Sequence, residues 1–289
     1  LESTERLVDD ALSAAVDGLL VPVIASEVEF LTAAERRSVV RVFAARVRGR
    51  VPIILGASAS TPGECAEHAQ LAVERGLAAC LVAIPGKLYG QPGAIEGFCD
   101  EVSRSIPGPL VLQDFQFNGF GLQPEEISRL KNKLQRLAGI KIETVPAGPK
   151  YSAVRAVCGH TFWIAGGWAV PQMIEALDRG VDAMIPESAM IRVYQHIARL
   201  YHEGNRTEAV RVFRRLLPVL AFTNQEVGAS AAFFKRLLVR KNFFRSFVQR
   251  MPIPACDSTG EQMAEALIEH YLVLEAEVAA DSLRRKSPP

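Results

Sequence analysis

No apolar run in the sequence approaches the ~20 residues that a helix needs to cross a bilayer, so a membrane-spanning protein is not expected. Charge of either sign is not in surplus either: 33 basic residues face 32 acidic ones, for a formal net charge of +1. That balance gives no overall field toward nucleic acid or an anionic membrane. The basic stretches Arg211–Arg215 and Lys235–Arg245 read as solvated helix faces. Cysteine is scarce. Cys65, Cys80, Cys99, Cys158 and Cys256 make no Cys-x-x-Cys pair and no His/Cys ligand spacing, so all five read as buried small hydrophobes in a reducing compartment. His160, His196, His202 and His270 lack metal spacing, and neither a metal nor a cofactor is expected. A Gly-x-Gly-x-x-Gly fingerprint after the first strand pattern is missing, which weakens dinucleotide binding. Solenoid repeats and low-complexity tracts are absent. The opening Leu1-Glu2-Ser3-Thr4-Glu5 has no signal-peptide pattern, and a cytoplasmic location is the expectation.

What the chain does have is alternation. Its 289 residues, 49% of them hydrophobic, suit one large α/β domain or two small ones. Short β-branched runs mark strands at Gly18–Ile24, Val51–Gly56, Ala78–Ile84, Pro109–Phe115, Gly139–Glu143, Thr161–Gly166 and Asp182–Pro186. Most are nearly continuous apolar runs, as parallel strands covered on both faces require. Helix signals lie between them. Thr32-Ala33-Ala34-Glu35 and Thr61-Pro62-Gly63-Glu64 have the form of capping boxes. Arg75-Gly76 and Arg179-Gly180 have the form of helix ends. Seven such strands point to a (β/α)8 TIM barrel or an open doubly wound sheet. The chain opens on a helix pattern, Glu2–Val16, so a barrel would lack its first strand here. After Ser188 the pattern is helical: Ile191–His202, Arg206–Ala221, Ala229–Arg240 and Glu261–Ala280. The first of these completes the last βα unit. The other three make a C-terminal three-helix extension, giving a barrel over 1–204 and an extension over 205–289 packed as one structural unit, with a frayed tail from Arg284 to Pro289.

Lys141 interrupts one strand pattern, between Ile140 and Ile142. Water is scarce inside a barrel, which disfavours the ammonium form, and a neutral lysine amine is a nucleophile for carbonyl carbon. Residues two apart on a strand share a face, so Glu143 projects beside Lys141. Glu143 then either handles protons or simply ion-pairs the lysine. Gln113 and Asp114 end another strand, and only one can face inward; Gln113 is taken for the pocket and Asp114 for a substrate contact or a loop-fixing role. Gly166 and Gly167 let backbone approach a ligand, or serve as packing glycines. Trp168, with Phe115 and Phe117, suggests a less polar pocket wall.

The order of elements, the Gly139-Ile140-Lys141 strand and the three trailing helices resemble the dihydrodipicolinate synthase / N-acetylneuraminate lyase superfamily, the pyruvate-dependent class I aldolases. Ser26-Glu27 before Leu31-Thr32-Ala33-Ala34-Glu35, the pair Gly166-Gly167, and Gly180-Val181-Asp182 add to the likeness. The resemblance implies a TIM barrel whose first strand lies upstream of this chain's start, a homotetramer or homodimer, and Lys141 as the Schiff-base lysine. It implies a small 2-oxo acid substrate, no nucleic acid and no membrane. It also places the backbone of Met184 at the substrate carboxylate. Several positions depart from the pattern. The family's Thr-Thr carboxylate pair falls on Ile24 and Ala25, leaving Ser26 to supply a hydroxyl. Its proton-shuttling tyrosine falls on Gln113-Asp114, its substrate-holding arginine near Asn118, and its neighbour-subunit tyrosine aligns with Tyr89 only after a shift. Glutamine cannot exchange protons as a phenol can, and without the arginine the bidentate grip on a second carboxylate is lost. The pair of motifs Gln-Asp and Lys-x-Glu resembles a divergent branch of the superfamily.

The expected function is therefore a Schiff-base-forming lyase or aldolase for pyruvate or another 2-oxo acid, not dihydrodipicolinate synthesis. A catalytically degenerate barrel that binds a small metabolite or partner is the alternative. A metal-dependent barrel lyase, using Glu27, Asp114, Glu143 and Glu187, is a third reading.

Overall fold

The computed structural model describes residues 2–286 apart from 117 and 169, so the expectation for Phe117 lies outside the described residues. In chain order the elements begin with α1 (Glu2–Ser13). Then come β1 (Leu19–Val21), α2 (Ala33–Val47), β2 (Ile53–Gly56), α3 (Pro62–Arg75), β3 (Ala79–Ala83), α4 (Ala94–Ser105) and β4 (Leu110–Gln116). They continue with α5 (Pro124–Lys133), β5 (Leu137–Thr144), α6 (Gly148–Cys158), β6 (Trp163–Gly166), α7 (Met173–Asp178) and β7 (Ala183–Met184). The last four are helices: α8 (Ile191–His202), α9 (Arg206–Thr223), α10 (Val227–Arg240) and α11 (Ser258–Lys286). None of the described helices is long and apolar enough to cross a membrane.

The chain divides into two compact units, Asp17–Ile185 and Leu1–Val16 with Pro186–Pro289. The first is an α/β unit. Its seven strands pair in sequential order, β1 to β7, and every pairing is parallel. That is the strand order of a (β/α)8 barrel one strand short, with β1 and β7 at the edges. Each helix from α2 to α7 connects two consecutive strands. The capping signals form as the sequence suggests: Thr32 Oγ1 accepts from the Glu35 amide at 3.2 Å, and Glu35 Oε2 accepts from the Thr32 amide at 2.9 Å.

Alternate strand residues build the core between sheet and helices. Leu55, Cys80, Val82, Leu110, Leu112, Ile140, Ile142 and Ile164 face helix residues such as Ala69, Cys99, Val102, Ile127, Leu130 and Val154. By the same alternation, Val111, Gln113, Lys141 and Glu143 turn to the other, inner face. Cys65, Cys80, Cys99 and Cys158 are buried, and burial pushes the Cys65 and Cys80 thiols up to about 11. Cys256 departs from the expectation: it is exposed in the segment before α11.

The second unit is helical, and it takes in more than the extension expected over 205–289. α1 and α8 belong to it, and the two units meet in sequence at 16/17 and 185/186. The reason is visible in the polar contacts. Arg192 on α8 grips Asp10 on α1, with Nε at 2.7 Å and Nη2 at 2.5 Å from Oδ1. Asp10 is buried, as are Ile197 and Leu200 of α8, and α8 packs on α9 and α11. Of the tail expected to fray, Arg284–Lys286 belong to α11, and 287–289 lie outside the described residues.

Candidate active site

β4 and β5 set the geometry. Their parallel register pairs Gln113 with Lys141, Asp114 with Ile142 and Phe115 with Glu143. Gln113, Lys141 and Glu143 therefore share the inner face. All three are buried; the Lys141 and Glu143 side chains are 6% and 4% exposed. Lys141 Nζ lies 2.9 Å from Glu143 Oε1, and Gln113 Nε2 donates to Glu143 Oε2. The two carboxylate oxygens are thus divided between an amine and an amide. Glu143 is the one recorded partner of Lys141 Nζ among the described residues.

Small residues on β6 make room for this group. Ala165 pairs with Lys141 in register and is fully buried. One residue past the strand, a Cβ on Gly167 would lie 2.2 Å from Glu143 Oε1, 2.5 Å from Lys141 Cε and 2.8 Å from Lys141 Nζ. No side chain fits there without displacing the lysine. Gly166 separates from this pair. It points to the helix side of the sheet, where a Cβ would meet the Tyr151 hydroxyl and the Met184 thioether. Met184 pairs with Gly166 in the β6–β7 register. Trp168 has a left-handed φ of 54° and stands edge-on to Phe115, with ring centroids 6.3 Å apart. Phe115 shares the face of Gln113, so the aromatic pair borders the Lys141 group.

Ala25 and Ser26 are not drawn into contact with Lys141. They sit in a 3-10 turn after β1, both exposed, and Ser26 Oγ accepts from the Val23 amide at 3.2 Å. Glu27, next along, is buried with φ 54°.

Asp114 faces the helices, not the inner face. Its Oδ1 accepts from the Tyr89 hydroxyl at 2.7 Å, and its Oδ2 from Lys150 Nζ at 2.6 Å and from the Leu122 amide at 3.0 Å. It is fully buried and turned away from the Lys141 face. Tyr89 likewise is committed to Asp114. Burial, then the neighbouring Asp114 charge, raises its phenol far above the ordinary value. Among the described residues no group of three or more His, Cys, Asp or Glu side chains is arranged to hold a metal ion. Glu143 and Asp114 in particular lie on opposite faces of the sheet and are each paired with a lysine.

Lys150 and Tyr151 escaped the sequence reading. Lys150 is entirely buried near the start of α6, and desolvation lowers its pKa against the opposing pull of Asp114. The signal was present: Lys150, Val154 and Cys158 recur at helical spacing, and all three are buried. A lysine in the apolar register of a helix asks for a buried carboxylate. The Tyr151 hydroxyl lies 3.4 Å from the Ile142 carbonyl oxygen; burial first, then the Glu143 charge, raises its pKa.

The chain is 28% identical over 283 residues to the L-2-keto-3-deoxyarabonate dehydratase of Azospirillum brasilense, covering 95% of this chain and 90% of that protein. Its fold matches the dihydrodipicolinate synthase of Rhodopseudomonas palustris, with TM-score 0.83, 22% identity, and 93% and 90% of the two chains covered. It also matches the sialic acid aldolase of Ruminococcus gnavus, with TM-score 0.84, 17% identity, and 96% and 92% covered. The model of the Dihydrodipicolinate synthetase family matches residues 1–271, and on that span the chain belongs to the dihydrodipicolinate synthetase family.

Proposed function

We propose that the protein is a Schiff-base-forming lyase in which Lys141 forms an imine with a 2-oxo acid. One observation carries the reading: a buried lysine amine whose one recorded partner among the described residues is a carboxylate at 2.9 Å, held from its other side by Gln113. That distance is within reach of direct proton transfer. Glu143 takes a proton from the Lys141 ammonium, and the freed amine adds to the C2 carbonyl carbon. The oxygen collects two protons and leaves as water, giving a protonated imine. The imine draws electrons from the next bond. A base then takes a proton from C3, so that a C4 hydroxyl can leave as water, or from the C4 hydroxyl, so that the C3–C4 bond breaks. Glu143 is the base in this proposal, in place of a tyrosine, and Gln113 orients its carboxylate.

The dehydratase relative, which covers nearly the whole chain, makes a 2-keto-3-deoxy sugar acid the first substrate class to test. Dihydrodipicolinate synthesis is not the proposed reaction: Asn118 offers no guanidinium for a second carboxylate. The test is borohydride reduction in the presence of pyruvate, followed by peptide mass spectrometry. The expected result is a pyruvyl adduct on the peptide containing Lys141. Unmodified Lys141 under conditions that trap a known imine enzyme sinks the proposal. In that case the rival reading, a degenerate barrel, predicts metabolite binding that survives Lys141→Ala.

A further inference from the structure

We propose that Asp114, Lys150 and Tyr89 form a positioning clamp that holds Gln113 against Glu143 from the opposite face of β4. The inference rests on the reading of Lys141 and Glu143 as the reacting pair. Asp114 follows Gln113 directly, so the two side chains leave the strand on opposite faces. What fixes one fixes the other.

The hold on Asp114 comes from three separate segments. Tyr89 reaches it from the turn after β3, Lys150 from α6, and the Leu122 amide from the loop before α5, while Asp114 itself belongs to β4. Lys150 also donates to the Phe120 carbonyl and lies 4.6 Å from the centre of the Phe120 ring. Gly121 admits the carboxylate: its φ is 68°, and a Cβ there would lie 2.2 Å from Asp114 Oδ1. Three named donors converge on one carboxylate, and both ion-pair partners are 0% exposed.

Burial alone does not call for this device. The helix face of β4 reads Leu110, Leu112, Asp114, and a third apolar residue would complete the stripe. Replacing a buried ion pair by apolar residues of like volume is often neutral or stabilising. What the ion pair adds is direction. Hydrogen bonds fix the rotation of a strand about its axis, whereas apolar contact tolerates small rotations. Gln113 has to reach diagonally, because its register partner is Lys141 and not Glu143. A rotation or slide of β4 at this point breaks the amide–carboxylate bond before it breaks the sheet.

The test is the double variant Asp114→Leu with Lys150→Met, which removes both charges together so that neither is stranded. Its crystal structure and its steady-state kinetics are compared with wild type. The clamp predicts that the variant folds, that Gln113 leaves Glu143, and that kcat falls by about tenfold or more. It further predicts that kcat falls with KM little changed, because Gln113 acts through the Glu143 carboxylate and not on substrate binding. Tyr89→Phe, which takes one donor and strands no charge, shifts the same quantities in the same direction by less. Gln113 still on Glu143 in the double variant overturns the clamp, and so does an unchanged kcat. If wild-type protein gives no Lys141 adduct, the imine reading falls by itself, and the position of Gln113 in the double variant still decides the clamp.

Discussion

Two buried lysine–carboxylate pairs lie on opposite faces of the same sheet, and they are built differently. Lys150–Asp114 is closed. Asp114 accepts from three named donors, Lys150 also serves the Phe120 carbonyl, and neither side chain is exposed. Lys141–Glu143 is open. Lys141 Nζ has one recorded partner among the described residues, with the two small residues Ala165 and Gly167 beside it. A closed pair has its valences filled and resists change. An open pair keeps donor capacity that an incoming carbonyl oxygen or carboxylate can use. Both pairs are a lysine and an acid, so the difference lies in their surroundings and not in the residue types.

Truncating each lysine breaks the comparison most sharply. Lys141→Ala removes the nucleophile, and turnover is expected to fall by ~10^3-fold or more. Lys150→Ala strands Asp114 as a buried charge, and the unfolding free energy is expected to drop by about 3–5 kcal/mol. Lys141→Ala should cost less than about half of that, because Glu143 keeps its hydrogen bond from Gln113. Urea unfolding of both variants checks the contrast. Equal stability losses would mean that the two pairs do not differ in kind.

Glu143→Gln sharpens the comparison within the open pair. The amine is retained and the proton acceptor is lost. Turnover is expected to fall by about 10^2-fold or more, while slow borohydride trapping of Lys141 with pyruvate persists. Full turnover in this variant would reduce Glu143 to a counter-ion, which the sequence alone left as an equal possibility.

Much of the α/β unit was legible in the sequence, because parallel strands write themselves as apolar runs. Ile140 and Ile142 around Lys141 marked an inward-facing amine. The edge strands were over-read. Gly18–Ile24 condensed to Leu19–Val21, where Pro22 has no amide to continue the ladder. Gln113, taken over Asp114 for the inner face, does lie on the face of Lys141 in the β4–β5 register. The Lys150–Asp114 pair spans 36 positions and four segments, so no local pattern could join its halves. The same limit explains the unit boundary: α8 has the amphipathic pattern of a barrel helix, and only Asp10 on α1 reveals its company.

Another carboxyl, that of Glu187, has no lysine at ion-pair distance among the described residues. Glu187 follows β7 in sequence and lies in the helical unit. The Ala189 amide donates to its Oε2 at 2.5 Å, while its buried Oε1 has no hydrogen-bond partner among the described residues. Desolvation raises its pKa to about 7, only partly offset by the Ala189 amide, the Lys241 charge, the Tyr194 hydroxyl and the Met190 amide. Its ordinary value is 4.5, so between pH 4.5 and about 7 the folded protein keeps a proton that the unfolded chain releases. Stability contributed by this group is therefore full below pH 4.5 and is lost as pH rises toward 7, with a slope of at most about 1.4 kcal/mol per pH unit. Glu187→Gln keeps the shape and removes the titration. Urea midpoints measured from pH 4.5 to 7 should decline less steeply in this variant than in wild type. Parallel curves would mean that Glu187 is ionised in the folded protein despite lacking a close cation, and that a lysine at 3 Å is not what separates the paired carboxylates from the unpaired one.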